Sequence, residues 1–138
     1  MRLWNRVNSF LAKGKVSTKP RSVSFFTACW EKDWRTILLH PHYLRQRQIE
    51  YHQFPFLEKV LIINNVNDVD LVKHSAQKWV DEGVLDRYVI AQDTMPLFGL
   101  KRDDFNDWLY YNALPPLMAI HEARGEYLLY VTGDTSLP

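Results

Sequence analysis

The sequence predicts an α/β fold: a three-layer sandwich around a mostly parallel four-stranded sheet, preceded by a basic amphipathic N-terminal segment. Three observations predict it. Short runs of β-branched and aromatic residues alternate with stretches of helical periodicity. The central runs, such as Lys59 through Ile63 (KVLII), lack polar alternation, as strands covered on both faces do. The chain of 138 residues, 46% apolar and 24% charged, is large enough for one domain with its own core.

Ser22 through Ala28 (SVSFFTA) is the first predicted strand, β-branched and aromatic. Asp33 stands where a helix cap belongs, before a helix that starts at Trp34 and carries Ile37, Leu38 and Leu39. Pro41 is expected to kink or split that helix, which resumes to about His52, until Phe54-Pro55-Phe56 breaks it. Lys59 through Ile63 is the second strand. Asp68 then caps a helix whose Val69, Val72, Ala76, Trp79 and Val80 share a face, and Gly83 falls at its C-terminal cap. Arg87 through Ala91 is the third strand. A loop around Met95-Pro96 and Gly99 leads into a helix from about Asp104, interrupted by Pro115-Pro116 and ended by Gly125 as a cap. Tyr127 through Val131 (YLLYV) is the fourth strand.

Four strands joined by helical crossovers imply parallel pairing of one hand. Ligands of such sheets bind beyond the carboxyl ends of the strands, where strand order reverses. Four places meet that rule: Thr27 to Trp30, Asn64-Asn65, Gln92-Asp93 and Thr132-Gly133-Asp134.

Charge divides the chain into two parts, an arm at 1–20 and an α/β domain at 21–138. Residues 1–21 hold six basic groups and no acid, whereas the remainder holds eleven basic and sixteen acidic residues, a net of −5. In the arm Leu3, Trp4, Val7, Phe10 and Leu11 fall at helical spacing beside the basic residues. Two readings stay open: a peripheral membrane contact through residues 1–15, each cation adding about 1 kcal/mol on an anionic surface, or a helix or tail that stays with its own domain. Nucleic acid is not expected as a partner, because an acidic body repels phosphate. Apolar runs of four or five residues are too short to span a bilayer. The single cysteine, Cys29, excludes an internal disulfide and suits a reducing, cytoplasmic compartment.

The five glycines compose neither G-x-G-x-x-G nor the P-loop pattern, and there is no G-x-S-x-G elbow. His40, His42 and His52 lack metal-ligand spacing and read as surface histidines. Cys29 has no base partner nearby in sequence and reads as a buried or pocket-lining thiol.

SVSFFTACW, KVLIINNVND and ARGEYLLYVTGDTSL, in this order and spacing, resemble the Rossmann-like nucleotide-binding half of a GT-A fold glycosyltransferase of the family 2 type. The resemblance implies that Thr27, Cys29 and Trp30 occupy the nucleoside-loop positions. It puts Asn64 and Asn65 where the family has an acidic pair that contacts the base, with Asp68 matching the acid slightly further on. Thr132-Gly133-Asp134 takes the place of the D-x-D that binds a divalent metal, Mg²⁺ or Mn²⁺, and the diphosphate of a UDP- or GDP-sugar. Thr replaces the first acid, so Asp134 is the expected metal anchor, with Thr132 and Gly133 beside the diphosphate. Pro115-Pro116-Leu117 stands where the family has Ala-Arg-Asn, which implies a missing donor-phosphate contact. The family's acceptor half and general base would lie beyond Pro138, so no catalytic residue is expected within this chain and the domain is expected to be incomplete at its C-terminus. Trp30 either stacks on the base or packs under the loop. The alternative is an α/β binding or interaction module that keeps this fold without the chemistry.

Overall fold

The computed structural model describes residues 22–45 and 54–132. Residues 1–21, 46–53 and 133–138 lie outside the described residues, and with them the whole basic arm, the latter part of the split helix, Gly133 and Asp134. Four strands, β1 (Val23–Cys29), β2 (Glu58–Ile63), β3 (Arg87–Ile90) and β4 (Tyr127–Val131), form one sheet in the order β3-β2-β1-β4, and all pairs are parallel. Between them lie α1 (Trp34–Leu39), α2 (Val69–Asp81), α3 (Ala91–Thr94), α4 (Asp107–Asn112) and α5 (Leu114–Glu122), with two short 3₁₀ turns at Met95–Phe98 and Arg102–Asp104.

Two cores cover the two sheet faces. Phe25, Leu61 and Ile63 face α1 and α2, meeting Trp34, Ile37, Leu38, Val72, Ala76 and Trp79. Phe26, Val60 and Ile62 face the other way, against Met95, Tyr110, Leu114, Met118 and Ala119. This is the expected three-layer arrangement. It also explains the missing alternation: consecutive residues of β2 point into different cores, and Val60 through Ile63 are fully buried. From β1 to β3 the chain steps one way across the sheet. It then returns past β2 and β1 to place β4, and reversing direction with crossovers of one hand moves the connecting helices to the opposite face.

Several caps and breaks fall where the sequence puts them. Asp68 accepts a hydrogen bond from the Leu71 N–H at 3.1 Å, and Gly83 holds φ 78° after α2. His40 ends α1 in an extended conformation (ψ 126°), the geometry a residue before proline prefers. Trp79 docks α2 on α1 by donating its indole N–H to the Leu38 carbonyl, one of the last carbonyls of α1, at 2.8 Å.

Two capping expectations are corrected. Asp33 makes no side-chain cap to α1; its carboxylate instead accepts from the Trp30 N–H at 2.7 Å, closing the turn that leaves β1. Gly125 is not the end of a helix either. The helix stops at Glu122, and Gly125 passes so close to β1 that a Cβ there would stand 2.8 Å from the Ser24 nitrogen and 2.9 Å from its Oγ. The helix break before Pro115 is moved as well: Leu114, Pro115 and Pro116 open α5, where missing N–H donors cost nothing.

The strands are joined at their amino ends by a buried polar cluster. Glu58, 4% exposed, lies opposite Ser24 in the β1–β2 register. Its Oε1 accepts from Ser24 Oγ and from the Arg124 N–H, both at 2.8 Å. Its Oε2 accepts from Nε and Nη2 of Arg87 on β3, at 3.2 and 3.1 Å. Arg87 also reaches the Glu122 carboxylate and carbonyl, both at 3.0 Å, and Ser24 Oγ accepts from the Gly125 N–H at 2.8 Å. Burial pushes the Glu58 carboxyl up, but the Arg124 amide, the Ser24 hydroxyl and the Arg87 guanidinium outweigh it and hold it below its ordinary range.

A carboxylate so depressed adds stability above about pH 4.3, its unfolded value, and that contribution is lost as pH falls through the lower folded value. Glu58→Gln is therefore expected to lower stability at pH 7 by about 3–5 kcal/mol, as removing one partner of a buried pair does, and to flatten the acid side of the stability profile, both read from urea unfolding at pH 7 and pH 3.5. Gly125→Ala is expected to cost about 1–3 kcal/mol in the same measurement, because the methyl meets backbone.

Candidate functional site

Strand order reverses between β1 and β4, and the carboxyl ends of β1, β2 and β4 meet there around a crevice of about 620 Å³. That volume lies within the range of small-molecule sites. The floor is Ala28 and Cys29 of β1 with Tyr130 of β4; Trp30, Asp33, Asn64 and Thr132 stand at the strand ends; Tyr111, Asn112 and Pro115, from the junction of α4 and α5, form the far wall.

Local sequence explains each wall. After Cys29 the chain turns through Trp30 to Asp33, and the Trp30 carbonyl accepts from the N–H groups of Asp33 and Trp34. Glu31 accepts from the Asn67 N–H at 2.6 Å, which ties this loop to the one after β2. Asn64 continues the β1–β2 ladder by donating its N–H to the Cys29 carbonyl at 2.9 Å. Asn65 then takes φ 52°, a left-handed conformation that asparagine tolerates better than most side chains. On the far side, the Asn106 side chain caps α4 by accepting from the Leu109 N–H at 2.8 Å, and Ala113 separates α4 from α5.

A chain of amides crosses the strand ends. Gln92 Nε2 donates to Asn65 Oδ1, and Asn65 Nδ2 donates to Asn64 Oδ1, both at 2.7 Å. Asn64 Nδ2 then donates to the Tyr111 carbonyl at 3.3 Å. The asparagine pair thus binds α4 to the sheet and fixes how far the far wall stands from β1. Two aromatic rings meet across the crevice: Trp30 and Tyr111 have centroids 5.9 Å apart, tilted by 54°.

The structure brings together some of the residues expected at the site and separates others. Cys29, Trp30, Asn64 and Thr132 line the crevice. Asn65 stands behind Asn64 in the amide chain. Asp68 is exposed at the head of α2, engaged as its cap. Thr27 lies two residues back along β1, 1% exposed, with its Oγ1 buried and without a hydrogen-bond partner. Gly133 and Asp134 lie outside the described residues, directly after Thr132. Asp33, Tyr111, Asn112, Pro115 and Tyr130 are lining residues the sequence reading did not place there. For Asp33 a signal existed, its position four residues after the end of β1. For the α4–α5 residues none did, since only the return of the chain over the opposite face brings them to β1.

Chemically the crevice is polar on one wall and aromatic across its mouth. Burial pushes the Cys29 thiol well above its ordinary value, and the nearby Asp33 carboxylate adds to that, so it stays protonated at neutral pH and is no nucleophile. Among the described residues no group of three His, Cys, Asp or Glu is placed to hold a metal ion, and no helix is long and apolar enough to cross a membrane. No protein-family model, curated protein or solved structure matches the chain.

Two outcomes follow. In the folded protein Cys29, 1% exposed, is expected to resist an aromatic disulfide reagent at pH 7.5 and to react fully in denaturant, followed by absorbance. Thr27→Val replaces an orphaned buried hydroxyl by a methyl of the same shape and is expected to raise unfolding stability by roughly 1 kcal/mol.

Proposed function

We propose that this chain is the donor-binding half of a glycosyltransferase of the GT-A, family 2 type, and that its crevice receives the nucleoside diphosphate of a UDP- or GDP-sugar. The observation that carries the reading is the position of the crevice: it opens at the reversal point of an all-parallel sheet, between the ends of β1 and β4, where such sheets bind nucleotides. Thr132, the residue before Gly133 and Asp134, stands on its wall.

In this reading the β1 loop and the amide wall hold the nucleoside, and the diphosphate runs past the end of β4. Among the described residues Asp33 is the lining carboxylate, and it already accepts from the Trp30 amide. Asp134, which stands where the resembled family has its metal-binding acid, would anchor Mg²⁺ or Mn²⁺, with ligand phosphate oxygens completing the site, as Mg²⁺ commonly takes one or two carboxylates plus substrate phosphates. Such an ion offsets the negative charge that gathers on a diphosphate leaving group. The acceptor and the base that activates it are assigned to no described residue and belong to the same proposal. So does a cytoplasmic setting, with residues 1–15 against a membrane surface, which rests on the sequence.

A second reading, a binding module without transfer chemistry, draws on one observation. The Asn64 and Asn65 side chains are hydrogen-bonded to each other, to Gln92 and to Tyr111, an arrangement that serves packing as well as recognition.

Calorimetric titration with UDP and with GDP in the presence of Mn²⁺ tests the first reading. Saturable binding that weakens at least tenfold in Asp134→Ala is expected. No heat at millimolar nucleotide removes the proposal, and binding indifferent to both Mn²⁺ and Asp134 favours the module.

A further inference from the structure

We infer that Tyr111, on α4, is the residue on which the base of the bound nucleotide stacks, with Asn64 as the residue that positions it. The inference rests on the nucleotide reading and adds a base-binding element to it. Of the three aromatic residues lining the crevice, Trp30, Tyr111 and Tyr130, Tyr111 is the most open, 43% exposed. It is also braced. Tyr110 meets it edge-on at 5.5 Å and 72°, and Trp30 meets it at 5.9 Å. Its carbonyl is held by the Asn64 amide, whose other bonds run back through Asn65 to Gln92 on α3.

An exposed ring held from behind and from below is a preorganised platform, which takes a planar base with little loss of side-chain freedom. Trp30 is less suited to that task. It is only partly exposed, and Lys32 places its Nζ 5.4 Å from the indole centroid. Trp30 therefore backs Tyr111. Stacking on Tyr111 tolerates any base, because every base offers a π-face.

The test compares the full chain with Tyr111→Ala and Tyr111→Phe, titrated with UDP, GDP and inorganic pyrophosphate, each with Mn²⁺, alongside thermal melts. Expected is a loss of about 5- to 150-fold in nucleotide affinity for Tyr111→Ala, the range measured for removing a stacking ring. Tyr111→Phe should bind within twofold of the parent, and pyrophosphate affinity should not move in either variant, since it has no base to stack. Equal nucleotide affinity in parent and Tyr111→Ala overturns this inference and leaves the nucleotide reading standing. So does a parallel loss of pyrophosphate binding, which would mark a structural role. A parent chain that binds neither nucleotide nor pyrophosphate overturns both.

Discussion

The buried carboxylate of Glu58 is the constraint on which the rest of the molecule depends. A lone charge at 4% exposure would be costly in an interior, so every lone pair direction must find a donor. The four donors come from Ser24 on β1, Arg87 on β3 and the Arg124 amide just before β4. One side chain on β2 thus touches all four strands or their approaches and pins their register at the amino ends. Gly125 belongs to the same constraint: only without a Cβ can the chain into β4 come close enough for its N–H to reach Ser24.

Fixing the strands at one end sets where they finish at the other. Parallel strands of five to seven residues that start in register deliver Cys29, Asn64 and Thr132 to one place. The crevice is the space left there because β1 and β4 are neighbours whose crossovers lie on opposite faces. Its second wall is supplied by α4 and α5, held at a distance by the amide chain from Gln92 to Tyr111. The charged cluster at the amino ends fixes strand register, while the amide chain at the carboxyl ends sets the width of the crevice.

Much of this was legible before any coordinates. Apolar runs too short for helices and without alternation are strands buried twice, and the core positions of β2 bear that out residue by residue. Asp68 and Gly83 mark the ends of α2 by chemistry that acts over three or four residues. Asp33 and Gly125 misled for the same reason. A carboxylate before a helix reads as its cap, and a glycine after one reads as its end, yet Asp33 turned back to Trp30 and Gly125 turned out to make room for Ser24. Both partners that decided the matter lie outside the helix the local pattern suggested.

The sequence by itself determined the strands, both ends of α2, the parallel three-layer class and the strand ends as the place to look for a site. These follow from periodicity and from capping, which act between near neighbours in the chain. Only the tertiary structure decided that Arg87 pairs with both Glu58 and Glu122, that Tyr111 faces Trp30, and that Asn64 reaches the Tyr111 carbonyl. Those contacts join residues from 29 to 81 positions apart. Nothing in a local pattern encodes which of many polar or aromatic side chains will meet once the sheet closes the distance.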